Sequence, residues 1–294
     1  MKMYFKKNVR VVSFLGVCSG VGQTLPGLEQ APRFLRESGF KEDLTNRSIN
    51  VLDLGDIHPN MNSINNAWEL IEKVRKKAFE TLQNKQTLLT IGGDHSLAIG
   101  TIQATLMNYS NAKIIWVDAH GDINTPETSL TGNLHGMPLA ALLGLFKNPI
   151  AGPKLLSENL LMIGVRDLDN AELNFLKELK IVVITAEEIR KDYKKTLAQV
   201  VNWLAKNSDA PIHLSFDLDS IDPSYAPATG LHVPGGLTLD YATKLIHQIA
   251  QTKKIVSLDL VEFNPLSVKN NNDLDLTIST IKTILIEGLT SQCN

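Results

Sequence analysis

The sequence predicts an α/β protein built on a mostly parallel sheet of eight strands, covered by helices on both faces. Three observations carry that reading. Eight short runs rich in Val, Ile and Leu recur along the 294 residues, most of them are separated by segments of helical periodicity, and two acidic turns stand directly after two of the runs. Alternation of strand and helix implies parallel neighbours, because a parallel strand is reached only by a crossover, and crossovers lay helices on the faces of the sheet.

Residues 10–17 open the series as Val11-Val-Ser-Phe-Leu-Gly-Val17, and 49–54 form the second strand. A helical stretch over 65–84 leads to the third strand, 87–92, where Gly92 and Gly93 permit a sharp exit. Helix 96–107 then precedes strand 113–118, helix 134–146 precedes strand 159–165, and helix 170–179 precedes strand 181–185. Helix 194–206, strand 211–217, helix 239–251 and strand 255–260 continue the alternation, and 273–288 reads as a closing helix. No Pro/Ser-rich linker, low-complexity tract or further repeat divides the chain, so one domain over residues 1–294 is expected.

Composition excludes several classes of partner. Lys and Arg total 29 against 31 for Asp and Glu, a formal charge of −2, so there is no bulk basic field for nucleic acid or an acidic membrane. A small-molecule partner is expected instead. The two cysteines, Cys18 and Cys293, match neither a disulfide framework nor a zinc or haem spacing, and read as structural or incidental in a reducing compartment. The start, Met1-Lys-Met-Tyr-Phe-Lys-Lys, runs into the first strand without a long apolar segment, and no apolar run reaches the ~20 residues that cross a bilayer, so a cytoplasmic location is expected.

The acidic turns are Asp118-Ala-His-Gly-Asp122 and Asp217-Leu-Asp219. In extended backbone successive side chains alternate faces, so the spacing predicts Asp118, His120 and Asp122 on one side, and Asp217 and Asp219 on one side of theirs. They follow Lys113-Ile-Ile-Trp-Val117 and Ile212-His-Leu-Ser-Phe216, which carry them to C-terminal strand ends, where open parallel sheets hold their ligands. If the two ends meet, each pair of carboxylates ~4 Å apart costs roughly 4 kcal/mol even at an effective dielectric of ~20. Neither turn contains Lys or Arg, so bound cations are the simplest counter-charge. Ile91-Gly-Gly-Asp-His-Ser96 adds His95 near the start of a helix at the same end. Two imidazoles and four carboxylates without thiolate favour manganese or another oxygen-preferring divalent ion over structural zinc. His213, inside a strand, reads as a core residue.

These residues resemble the signatures of a known family, the ureohydrolases, which include arginases, agmatinases and formiminoglutamases. The resemblance rests on Gly92-Gly-Asp-His-Ser96, Trp116-Val-Asp-Ala-His-Gly-Asp-Ile-Asn-Thr-Pro126, Gly132-Asn-Leu-His-Gly136 and Ser215-Phe-Asp-Leu-Asp-Ser-Ile-Asp-Pro223, in the family's order. Gly20-Val-Gly-Gln23, Gly27-Leu-Glu-Gln-Ala-Pro32 and Asp259-Leu-Val-Glu-Phe-Asn-Pro265 extend it over nearly the whole chain. It implies a three-layer α/β/α fold around an eight-stranded parallel sheet, a homo-oligomer (trimer or hexamer), and two Mn2+ per subunit. It also implies hydrolysis of a guanidinium group to urea by a hydroxide held between the metals. One ion would be held by His95, Asp118, Asp122 and Asp217, the other by His120, Asp118, Asp217 and Asp219. Asp122 would also orient the nucleophile, Glu262 would pair with the guanidinium, and His135 would carry a proton to the leaving amine.

Within the family, the loop from Asp122 to Asn133 is similar to that of arginases. The similarity implies that Asn124, Thr131 and Asn133 donate to an α-carboxylate, and that Asp169 and Glu172 hold an α-amino group. For the last two the alternative is an ordinary helix N-terminus, where acids suit the dipole. Thr131 stands where arginases usually carry Ser, and Leu231-His-Val-Pro-Gly-Gly236 replaces a commoner Thr-Pro loop. The leading expectation is manganese-dependent hydrolysis of L-arginine to L-ornithine and urea. Another ureohydrolase of agmatinase or guanidinobutyrase type, and a non-catalytic metal-binding homologue, are the alternatives.

Overall fold

The computed structural model describes residues 11–290, so the readings for residues 1–10 and for Cys293 lie outside the described residues. The strands are β1 (Val11–Val17), β2 (Asn50–Ile57), β3 (Thr87–Ile91), β4 (Lys113–Val117), β5 (Leu160–Val165), β6 (Val182–Thr185), β7 (Ile212–Asp217) and β8 (Ile255–Val261). The helices that alternate with them are α1 (Ala31–Glu37), α2 (Phe40–Thr45), α3 (Asn66–Gln83), α4 (Ala98–Asn108), α5 (Pro138–Leu143), α6 (Asn170–Glu178), α7 (Ala186–Lys191), α8 (Tyr193–Ala205), α9 (Leu239–Ala250) and α10 (Asn271–Thr290).

The strands form one parallel sheet in the order β2-β1-β3-β8-β7-β4-β5-β6. Because both faces are buried, alternate residues of one strand enter different cores. Ile115 and Val117 of β4 pack in a cluster with side chains from α1, α2 and α7–α10, whereas Ile114 and Trp116 pack in a second cluster with α4, α5 and α6. Leu88 of β3 joins α3 and α4 through Ala78, Leu82 and Ala104, while Leu89 faces the first cluster. Helices therefore cover the sheet above and below, as the three-layer expectation requires. The edge strand β2 is largely exposed and carries Asp53 and Asp56, charges that discourage pairing with another edge.

The order has one discontinuity that matters. The crossover from β3 to β4 leaves a gap of two strands, which β7 and β8 later fill. Register keeps the four central strand ends level: Val117 pairs with Phe216, Asp217 with Val261, and Leu260 with Ile91. The residues just beyond those ends are Asp118, Leu218, Glu262 and Gly92.

Two expectations are corrected. The helix expected over 134–146 is instead a 3-10 turn, Leu134–Gly136, followed by α5. Pro138 starts α5 at its first turn and Gly144, at φ 76°, ends it in the left-handed region, so the periodic stretch is broken at both ends. The second concerns the alternation argument for Asp118, His120 and Asp122. β4 stops at Val117, so the three residues lie on a loop, and Asp122 takes φ 49°. They still converge, but through turns and not through pleating.

Candidate metal centre and active site

His95 arrives through an unusual backbone. Gly92 and Gly93 leave β3 at φ 91° and 83°, and a Cβ at Gly92 would lie 2.7 Å from Pro32, so both positions demand glycine. Asp94 then caps the turn His95–Leu97 by accepting from Ser96 N at 3.1 Å. The imidazole that results is almost wholly buried and stacks on Trp116, with ring centroids 3.8 Å apart.

Its Nδ1 lies 3.0 Å from Asp118 Oδ2, 3.1 Å from Asp217 Oδ2 and 3.2 Å from Asp122 Oδ2, yet forms a hydrogen bond with none of them. Nε2 lies 2.9 Å from Ser215 Oγ. With the proton on Nε2 given to Ser215, Nδ1 turns a lone pair toward three carboxylates, an arrangement that repels unless a cation stands among them. The spacing also suits one. Neighbouring ligands at about 2.1 Å from an octahedral ion lie about 3.0 Å apart.

A second group shares Asp118. His120 Nδ1 lies 3.4 Å from Asp118 Oδ1 and 3.2 Å from Asp219 Oδ2. The turns aim these acids with their own backbone: His120 N donates to Asp118 Oδ1 at 2.7 Å, Asp219 N to Asp217 Oδ1 at 2.8 Å, and Ala119 N to Asp219 Oδ1 at 3.3 Å. The described structure thus brings together all six residues expected to hold metal.

Crowding divides the acids electrostatically. Burial and the neighbouring Asp118 charge push Asp122 up to about 7. Burial, Asp219 and Asp118 likewise push Asp217 well above the usual carboxylate range. Burial acts the same way on Asp118, but the adjacent imidazoles of His120 and His95 overcome it and hold that carboxyl far below the range. Bound cations would favour the charged form of every one of them.

Glu262 stands one residue past β8, at φ 59°. Its Oε1 accepts from His95 N at 3.0 Å and lies 3.1 Å from His135 Nδ1. Burial lowers the His135 imidazole, but the hydrogen bond and charge of Glu262 outweigh it and lift the ring to about 9. His135 is fixed further by its backbone N, which donates to Gly22 O at 3.1 Å, while Gly22 N donates to Asp94 Oδ2 at 2.9 Å.

These groups open on a cleft of about 230 Å³, lined by His120, Asp122, His135, Asp217, Asp219 and Glu262 and also by Asn124, Thr131, Asp169 and Glu172. Asn124 Nδ2 donates to Asp169 Oδ2 at 2.7 Å, and Asn124 Oδ1 accepts from Thr128 Oγ1 at 2.7 Å. Asp169 and Glu172 form a capping box on α6, so the helix-terminus reading is correct in geometry, and both residues line the cleft as well. Asn133 precedes the Leu134–Gly136 turn and does not line the cleft. Leu231 from the divergent loop does.

Sequence reasoning missed several supporting residues. Trp116 Nε1 donates to Asp118 Oδ2 at 3.0 Å, and Ser215 meets His95; both lie inside the quoted motifs but carry no ligand chemistry of their own. Arg166 donates to Asp219 O at 2.7 Å, Ser220 O at 3.2 Å and Val233 O at 2.7 Å, tying the turn after β7 to the loop that contains Leu231. Its only signal was a basic residue beside an acidic helix start. His213 is fully buried, as expected of a core residue, and pairs with Asp259 at 2.9 Å.

A parallel sheet with an acidic, histidine-bearing crevice at a topological switch point defines the class, an α/β protein with donors for divalent metal. The chain belongs to the Arginase family, whose model matches residues 10–287. It is 36% identical to an arginase of Staphylococcus aureus, over 95% of this chain and 98% of that protein. An arginase of Bacillus caldovelox is 35% identical, with 96% of this chain and 100% of that protein covered. The crystal structure of arginase from Bacillus subtilis superposes with a TM-score of 0.86 at 35% identity, covering 94% of this chain and 98% of that one.

Proposed function

We propose that this protein hydrolyses L-arginine to L-ornithine and urea with two divalent ions, manganese being the metal its donors suit. The observation that carries the reading is the convergence of six carboxylate and imidazole donors at a cleft that the His135 and Glu262 pair also lines. The arginases at 35–36% identity over nearly the whole chain support the choice of substrate.

A guanidinium carbon is a poor electrophile, because its charge is spread over three nitrogens. When bound, two divalent ions supply the field that makes a water acidic enough to serve as nucleophile near neutral pH. His95, Asp118, Asp122 and Asp217 would hold one ion, and His120, Asp118, Asp217 and Asp219 the other. Asp122 also accepts a hydrogen bond from the nucleophile and so fixes its direction of attack. Glu262 accepts from the planar guanidinium, with its carboxylate oriented by His95 N–H and by His135. As the carbon–oxygen bond forms and the carbon–nitrogen bond breaks, His135 hands a proton to the departing amine. In the same cleft, Asn124 and Thr131 donate to the α-carboxylate, and Asp169 and Glu172 accept from the α-ammonium.

Urea release from L-arginine and from agmatine, compared side by side, tests the proposal, since agmatine lacks the carboxylate. Arginine is expected to be strongly preferred. A preference for agmatine would keep the centre and overturn the assignment of the carboxylate-binding residues.

A further inference from the structure

A second group of metal-binding side chains lies outside the candidate centre. Cys18 follows β1, Asp56 lies in β2 and His58 follows it, and one donor atom from each lies within 4.8 Å of the other two. The parallel register explains the meeting. Gly16 pairs with Asp56 and Val17 with Ile57, and Cys18 N donates to Ile57 O at 2.9 Å, so both chains leave the sheet at the same level. The three residues stand where two clefts of about 540 and 580 Å³ adjoin, and Cys18, Glu29 and His58 line both. Among the described residues the His58 ring has no hydrogen-bond partner, and only its carbonyl is engaged, by Lys73 Nζ at 3.4 Å.

We propose that Cys18, Asp56 and His58 form a binding site for a thiophilic divalent cation of the zinc type, separate from the carboxylate and histidine centre. A thiolate, an imidazole and a carboxylate with an open fourth position make a zinc-like donor set, whereas the centre described above offers no sulfur. Ligands at about 2.0–2.3 Å from a tetrahedral ion lie about 3.3–3.8 Å apart. The exposed side chain of His58 can close that difference by rotation. Arg36 Nη1 donates to Asp56 Oδ1 at 2.7 Å and orients the carboxylate, as hydrogen-bond donors around ligating acids do. Burial and Asp56 push the Cys18 thiol up to about 11, so the metal must displace its proton, and binding should strengthen as pH rises. Without a metal, the same thiol is a poor nucleophile at neutral pH.

The site is placed to influence the active-site region. The segment after Cys18 walls the cleft on one side, and on the other Gly22 holds Asp94 Oδ2 and the His135 backbone. A cation on Cys18 restrains the segment that positions His135.

Cobalt tests the site directly, because a thiolate ligand gives a near-ultraviolet charge-transfer band that oxygen and nitrogen ligands do not. The full chain, first saturated with manganese, is titrated with Co2+. One cobalt per chain with the sulfur band is expected, displaced by zinc. Cys18→Ser should abolish the band, and His58→Ala, an exposed position, should shift the titration to higher cobalt. Absence of the band from the unaltered protein, an unchanged titration in His58→Ala, or an equal band in Cys18→Ser, which would assign it to Cys293, each overturns the proposal.

Discussion

Asp122 and Glu262 both occupy the left-handed region, at φ 49° and 59°, where a residue with a Cβ pays about 1–2 kcal/mol. The fold retains that cost where two acids turn back over the strand ends. Asp122→Ala should reduce turnover by roughly a hundredfold or more and weaken one of two bound ions, since the residue has two proposed tasks. His135→Ala should cut turnover by a comparable factor while metal content, measured by emission spectroscopy on dialysed protein, stays the same. Near-normal turnover in both variants would remove the mechanism. The six proposed ligands were legible in the sequence because each turn carries its donors within a few residues. The His135 and Glu262 pairing was not, because 127 residues separate them and they stand on loops that follow different strands, β4 and β8.

The charge pattern at the same scale sets a pH dependence for metal-free protein. Asp122 is raised to about 7, so its ionisation costs stability as pH climbs from the ordinary carboxylate range through about 7. His135 is raised to about 9, so the stability it lends is complete below about 6.5 and fades as pH rises through about 9. Both effects have the same sign. Metal-stripped protein should therefore lose melting temperature between pH 6 and pH 9, and manganese should restore it most at the alkaline end. A melting temperature that rises over that range without metal would contradict the crowded-carboxylate picture.

At the scale of elements, the expected central strands match the observed ones closely, because runs buried on both faces are nearly all apolar, whereas the exposed edge strand β2 runs three residues past its expected end. Short helices were harder to read. α1, α2 and α7 have six or seven residues each, too few to display a 3.6-residue period. α7 was not anticipated, although Thr185 and Glu188 form a capping box at its start. Helix α5 was drawn too long because the apolar stretch outlasts Gly144. Arg166 belongs to this scale, since it joins the 3-10 turn Leu218–Ser220 to the loop at Val233. Arg166→Ala should cost about 2–3 kcal/mol by urea denaturation, from the loss of several charge-assisted hydrogen bonds, and should also weaken metal binding through Asp219. A variant with unchanged metal affinity would confine Arg166 to stability.

At the scale of the molecule, the class of fold followed from the alternation of runs, but the strand order did not. Nothing local in the sequence says that β7 and β8 insert between β3 and β4, and that insertion is what brings the two acidic turns together. The buried cluster that fastens the insertion is His213 of β7 with Asp259 of β8, which is joined by Thr101 and Thr105 of α4. Asp259→Ala leaves a buried imidazole without its partner and should cost about 3–5 kcal/mol, read from urea denaturation with metal present. A loss below about 1 kcal/mol would show that the pair is not what secures the centre of the sheet.

The central claim is that divalent metal held by these six residues turns the protein into a hydrolase of L-arginine. Urea release from L-arginine, before and after the protein is stripped with chelator and then reloaded with manganese, tests it most directly. The account predicts that stripping abolishes release and that recovery tracks the binding of two manganese ions per chain. Full activity in the stripped protein, or bound manganese with no urea, would contradict it.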